Sequence, residues 1–196
     1  AVFVGVTERW RFSVERTIQP GSPLFDFDPD DIRHISIKNG DQSFRIKREE
    51  DGWILETTNP DAANPEAVAA IFKTALSTPV LDRIDPSEIQ DKQNLATYGV
   101  LKSTLQLDFK GDRPLSLLFG KVGGDGNRTY VAFEKSNAVY LIPNDLAKLI
   151  AMPSDNFRDR RLVTIDPDRV RRIEILRGST TLELENKGRG WQITKP

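Results

Sequence analysis

The chain has 196 residues, 38% of them hydrophobic and 29% charged, a balance that excludes a disordered chain and leaves room for one domain and part of another. Its 28 basic and 29 acidic residues give a net charge of -1, so no overall field draws it to nucleic acid or anionic lipid, and no nucleic-acid partner is expected. The absence of cysteine removes thiol catalysis, disulfides and thiolate metal sites together.

The chain opens on the apolar run Ala1 to Val6, followed by a charged segment carrying Trp10 between two arginines. Six residues are too few to cross a bilayer, which takes about 20. The run reads either as a first strand or as the end of a membrane anchor with Trp10 at the interface.

From residue 32 the pattern has period two. Ile35 and Ile37 alternate with polar residues, Gly40 marks a turn, and Phe44 and Ile46 alternate again, which predicts an antiparallel hairpin. Asp51-Gly52 then turns the chain into a third strand from Trp53 to Leu55. Asn64-Pro65-Glu66 is a helix start, with Asn as cap and Pro at the first position. Val68, Ile71, Phe72, Ala75 and Leu76 follow at helical spacing until Pro79.

A weaker helix is expected from Pro86 to about Ala96, broken by Tyr98-Gly99. Strand alternation resumes at Leu105, Leu107 and Phe109, then from Leu115 to Phe119, Thr129 to Phe133 and Ala138 to Leu141. Glu134-Lys135-Ser136-Asn137 forms a hairpin loop between the last two. Asn144-Asp145 opens a short helix through Leu146, Leu149 and Ile150, stopped by Pro153. The predicted class is α+β, a largely antiparallel sheet with two to three helices.

A self-comparison adds an organising feature. Asp28-Pro29-Asp30 through Gly40 falls without a gap on Asp166-Pro167-Asp168 through Gly178, an offset of 138 residues. Phe44 and Ile46 then fall on Leu182 and Leu184, Gly52-Trp53 on Gly190-Trp191, and Leu55 on Ile193. Apolar parity, turn glycine and tryptophan together predict a duplicated unit whose second copy is truncated. The expected organisation is an N-terminal segment over 1–23, a complete repeat over 24–160 and the opening meander of a second over 161–196.

The candidate chemical motifs have structural readings that fit better. The acidic run Asp26 to Asp31 lacks the glycine and the terminal glutamate of a calcium loop, and the second copy has Thr164 opposite Asp26, so it reads as a turn entering a strand. Gly120 to Asn127 lacks the Gly-Lys-Ser/Thr and following helix of a phosphate loop and reads as a hairpin loop. His34 is the single histidine and aligns with Arg172, a surface strand position. Arg158, Arg160, Arg161, Arg169, Arg171, Arg172 and Arg177 are interleaved with acids and read as an ion-paired face. Trp53 and Trp191 recur at one place in the repeat and are expected to pack against apolar neighbours. No catalytic, cofactor or metal residue is nominated.

The order Gly52-Trp53-Ile54-Leu55, helix, Tyr98-Gly99-Val100, Leu118-Phe119-Gly120, Thr129-Tyr130-Val131, Val139-Tyr140-Leu141, Phe157 to Leu162, Val170 to Ile175 and Trp191 to Pro196 resembles the bacterial domain-of-unknown-function family 4340, over roughly Phe25 to the end. One departure is the lack of the family's proline around Leu101-Lys102-Ser103, which bears on a local turn. The resemblance implies an envelope protein with an N-terminal membrane segment on the extracytoplasmic side of the inner membrane, and no catalytic residues. It also implies protein partners, among them subunits of gliding-motility-type ABC transporters. Family members commonly continue into a helix after the Trp-to-Pro segment, so the chain is expected to stop inside its second copy and Ala1 to Val6 to end a membrane anchor.

The expected function is therefore a non-catalytic envelope scaffold or interaction domain, its oligomeric state left open. The alternative is a small-ligand or glycan-binding module in the groove between helix and sheet, with Tyr98, Tyr130 and Tyr140 as contacts.

Overall fold

A computed structural model describes residues 18–85, 92–134, 136, 138–161, 167–178, 180–188 and 190–195; the apolar start and the first half of the expected second helix lie outside them. The chain divides between Asp159 and Arg160 into two compact units.

The first unit opens with a 3-10 turn, Pro29–Asp31, capped by Asp28, whose Oδ1 accepts the Asp30 amide at 2.9 Å. It leads into β1 (Ile32–Asn39), β2 (Gln42–Glu49) and β3 (Gly52–Glu56), a meander in which Ile35 faces Ile46, Ile37 faces Phe44 and Ile46 faces Leu55. A two-residue strand, β4 (Asp61–Ala62), continues the edge. Next comes α1 (Pro65–Ser77), started by Asn64, whose Oδ1 accepts the amides of Glu66 and Ala67. Beyond it lie β5 (Asp82–Ile84) and α2 (Lys92–Thr97), the described part of the helix expected from Pro86.

The remaining strands are β6 (Leu105–Gly111), β7 (Leu115–Val122), β8 (Arg128–Phe133) and β9 (Val139–Pro143), followed by α3 (Asp145–Ile150). Together they form one nine-stranded sheet in the order β4-β3-β2-β1-β6-β7-β8-β9-β5, antiparallel throughout. β4 and β5 were not anticipated because two or three residues carry no readable period.

Strand alternation sorts the sheet into two faces. One collects Ile35, Ile37, Phe44, Ile46, Leu55, Leu107, Phe109, Leu117, Phe119, Val131, Phe133, Tyr140 and Ile142, all buried. It is covered by Val68, Ile71, Phe72 and Ala75 of α1, by Leu146, Ala147 and Ile150 of α3, and by Leu24, Phe25 and Phe157. Phe72 stacks on Phe109 at 5.9 Å and meets Trp53 at 5.8 Å, while Phe25 and Phe27 approach the same Phe109 ring at 5.7 and 4.8 Å. The entering chain is held beside the helix end, with Leu24 N donating to Thr78 O and Gly21 N to Val80 O.

The opposite face is polar over β1, β2 and β6, where Ser36 lies between Arg45 and Asp108. Towards β8 and β9 it carries a small second cluster of Val100, Ala132 and Val139, with Tyr98 and Tyr130 against it.

The second unit is a three-stranded meander, β10 (Arg172–Arg177), β11 (Thr180–Asn186) and β12 (Trp191–Lys195), preceded by a 3-10 turn at Pro167–Arg169. Its pairs are Ile173 with Leu184, Ile175 with Leu182 and Leu184 with Ile193, each one of the first meander's pairs advanced by 138 residues. The turn glycines correspond as well, with φ of 60° at Gly40 and 61° at Gly178.

Phe109 is fully buried and touches three aromatic rings, those of Phe25, Phe27 and Phe72, so its removal opens a cavity that the flanking strands cannot close. Phe109→Ala should destabilise the first unit by about 3–5 kcal/mol, read from the urea midpoint, whereas truncation of exposed Leu101, at 52% accessibility, should move it by less than about 0.5 kcal/mol.

Candidate functional site

A cavity of about 310 Å³ lies where β6 turns into β7. Phe109, Pro114, Leu115 and Phe133 form its apolar wall, and Gln106, Asp108, Lys110, Ser116 and Glu134 its polar one. The polar wall is already organised, because Gln106 Nε2 donates to Asp108 Oδ1 at 2.9 Å and to Ser116 Oγ at 3.0 Å. The three tyrosines do not converge there. Tyr98 and Tyr130 meet at 5.0 Å on the sheet's second face, half-buried over Val100, Ala132 and Val139. Tyr140 pairs with Val131, shares that residue's face, and lies 3% exposed against Phe133 in the main core. Burial raises the Tyr140 hydroxyl pKa, with Arg83 acting in the opposite direction.

The turn bearing Tyr98 depends on a close approach. Lys121 N donates to Tyr98 O at 2.8 Å, and a Cβ on Gly120 would run into that same carbonyl. Gly99, at φ 78°, reverses the chain just before the Val100–Lys102 turn.

The other candidate motifs sit in structural roles. Asp30 accepts from Arg48, whose guanidinium also reaches the carbonyls of Pro29 and Asp30 and lies 4.8 Å over the Trp53 ring. In the 120–127 segment, Gly120 to Val122 belong to β7, and Asp125 accepts from the Asn127 amide and from Arg128 Nε. His34 stands on the polar face between Lys47 and Lys110. Among the described residues no group of three or more His, Cys, Asp or Glu converges on a point that could hold a metal ion.

Arg158, from the expected ionic face, closes the first unit. Its Nη1 donates to Asp61 Oδ2 at 2.9 Å and to Asn59 O, while Asp159 N donates to Ala62 O and Asn64 N to Phe157 O. The Arg158 hydrogen bond holds the Asp61 carboxyl below the usual carboxylate range, helped by the Ala62 amide.

One surface stands apart from the expected packing. Ile173, Ile175, Trp191 and Ile193 of the second meander are 40, 50, 42 and 64% exposed. Their counterparts Ile35, Ile37 and Leu55 are at most 1% exposed, and Trp53 packs on Phe72. The sequence treats Trp191 like Trp53, because the strand pattern records parity and says nothing of what lies above it.

The chain belongs to the family described as "Domain of unknown function (DUF4340)", whose model matches residues 53–196. The matched span begins at Trp53 in β3 and runs through both units, a shorter reach than the resemblance from Phe25 onward. No curated protein and no solved structure matches the chain. No described helix is long and apolar enough to cross a membrane.

Two measurements follow. Gly120→Ala should cost about 1–3 kcal/mol by forcing the Tyr98 turn off β7, while Gly124→Ala, with open space at its Cβ, should be near neutral in the same urea titration. Because the Asp61 pKa is lowered in the folded state, its stabilising effect is present above the unfolded value near 3.8 and is lost as pH falls through the folded value. The stability gap between the native chain and Arg158→Gln should therefore narrow as pH is taken from 7 to below 4, checked by urea midpoints across that range.

Proposed function

We propose that the protein is a non-catalytic interaction domain of the bacterial cell envelope. In this reading it is anchored to the inner membrane by a preceding segment and works with protein partners on the extracytoplasmic side. The observation that supports a role in contacts is the exposed apolar face of the second meander, which needs cover by an element outside the described residues. An exposed apolar patch on a soluble domain marks a surface that meets something else. The lowered carboxylate at Asp61 supports the non-catalytic part, since it lies in an Arg158 lock and not in the cavity.

The family resemblance points to subunits of an ABC-type transporter as the partners. We also read the second meander as the opening of a duplicated unit, supported by the 138-residue correspondence of strand pairs and turn glycines.

A second reading has one observation in its favour. The 310 Å³ cavity joins an apolar wall to a few oriented polar groups, the composition of a small-ligand site at the low end of the usual size range. It would use Gln106, Asp108 and Ser116, with Tyr98, Tyr130 and Tyr140 outside the contact set.

Cell fractionation and protease accessibility of the protein in cells should place it at the inner membrane facing outward. The purified chain should be inactive across a broad hydrolase screen; turnover abolished by a single substitution would overturn the proposal. Chemical-shift or melting changes with a panel of saccharides, suppressed by Asp108→Ala, would favour the second reading.

A further inference from the structure

The cavity beside the β6–β7 turn is bordered by charged groups that the rest of the fold does not use. Asp108 and Lys110 project from the same side of β6, and Ser116 stands opposite Asp108 on β7. Glu134, just past β8, lies beside Ser116, to whose carbonyl its amide donates at 3.0 Å. Asp108, Ser116 and Glu134 thus form a row across three neighbouring chain segments about 4.8 Å apart, with Lys110 about 6.6 Å along β6 from Asp108.

The row is partly organised from within. Gln106 Nε2 uses both of its protons, on Asp108 Oδ1 and on Ser116 Oγ, which leaves Asp108 Oδ2 as an acceptor and the Ser116 hydroxyl as a donor. Ser36, opposite Asp108 on β1, has its Oγ buried and unpartnered, so the carboxylate is turned away from β1 and towards the cavity. Among the described residues the Lys110 ammonium and the Glu134 carboxylate have no ionic partner, whereas Arg45, Lys47 and Arg48 of the same sheet are each paired with an acid.

Charge and size together define the ligand. A simple cation answers the two carboxylates and leaves Lys110 without a counter-ion; an anion does the reverse. A molecule carrying both charges answers both. In an α-amino acid the ammonium nitrogen is about 2.5 Å from the carboxylate carbon, compact enough for both to lie inside the triangle of Asp108, Glu134 and Lys110. The wall open to its side chain is aliphatic, with Pro114 exposed and Leu115 half-buried, while the Phe109 ring is fully buried and Phe133 nearly so. A sugar therefore finds no open aromatic ring to stack on. At about 30 Å³ for each water, the 310 Å³ cavity has room for a molecule of about ten non-hydrogen atoms, the size of an amino acid with an aliphatic side chain.

We propose that this cavity binds a free aliphatic α-amino acid. Its ammonium lies between Asp108 and Glu134, and its carboxylate accepts from Lys110 and the Ser116 hydroxyl in charge-assisted hydrogen bonds. Gln106 is a positioning residue that holds Asp108 and Ser116 in place. The proposal rests on the small-ligand reading of the cavity and names that ligand's class.

The test follows backbone amide shifts of the whole chain by NMR as L-leucine is added. Amides of residues 106–116 and 134 should move saturably. Leucinamide, which lacks the carboxylate, and N-acetyl-leucine, which lacks the ammonium, should each bind at least tenfold more weakly. Lys110→Met removes the charge of an exposed side chain and keeps its length; it should weaken leucine at least tenfold and leave leucinamide unchanged. Glu134→Gln, also at an exposed position, should weaken leucine and leucinamide alike and leave N-acetyl-leucine unchanged. Equal affinity for the three compounds, or no saturable shift below about 10 mM leucine, overturns the proposal. If leucine fails and a saccharide moves the same amides in a way that Asp108→Ala suppresses, the amino acid is wrong and the small-ligand reading stands. If neither compound moves them, both fall.

Discussion

The contact between Phe72 and the Phe109 ring holds the first unit's two layers together. A nine-stranded antiparallel sheet with one apolar face must have that face covered, and α1 and α3 with the entering Leu24–Phe25 segment do so. Phe109 lies on the central strand β6, so the helix and the entering chain meet around one side chain, and Trp53 joins them through Phe72. The hydrogen bonds from the 19–24 segment to Thr78 and Val80 and the Arg158 lock on Asp61 then fix the chain at the ends of α1, where the apolar cover stops.

With the apolar face closed, the polar face is left for solvent over β1, β2 and β6, and only its β8–β9 end gains a second layer. That layer exists because Gly120 lets the Tyr98 carbonyl reach the backbone of β7. This gives a physical role to the Tyr98-Gly99 and Leu118-Phe119-Gly120 motifs: they seat a turn on a sheet. The Tyr98 and Tyr130 rings fill the space beneath it.

The same requirement frames the second unit. Its strands repeat the pairs of the first meander, yet among the described residues this unit has no α-helix, and its isoleucines and Trp191 are open to solvent. A face that is core in one place and surface in another is a matter of what covers it, since the residues themselves are nearly alike.

The sequence by itself determined the local elements: the parity of Ile35 and Ile37 or Ile173 and Ile175, the Asn64-Pro65 start of α1, and the hairpin turns at Gly40 and Gly178. Those patterns follow from the periods of strand and helix and from turn sterics, which act over a few residues. Only the tertiary structure decided which strands are neighbours, and with that which residues share a site. The pairing of β1 with β6 spans some seventy residues of intervening chain, and the register of β8 on β9 places Tyr140 beside Val131, on the face opposite Tyr130. Whether Trp191 is core or surface was decided in the same way, because burial depends on the element lying over a strand and not on the strand's own alternation.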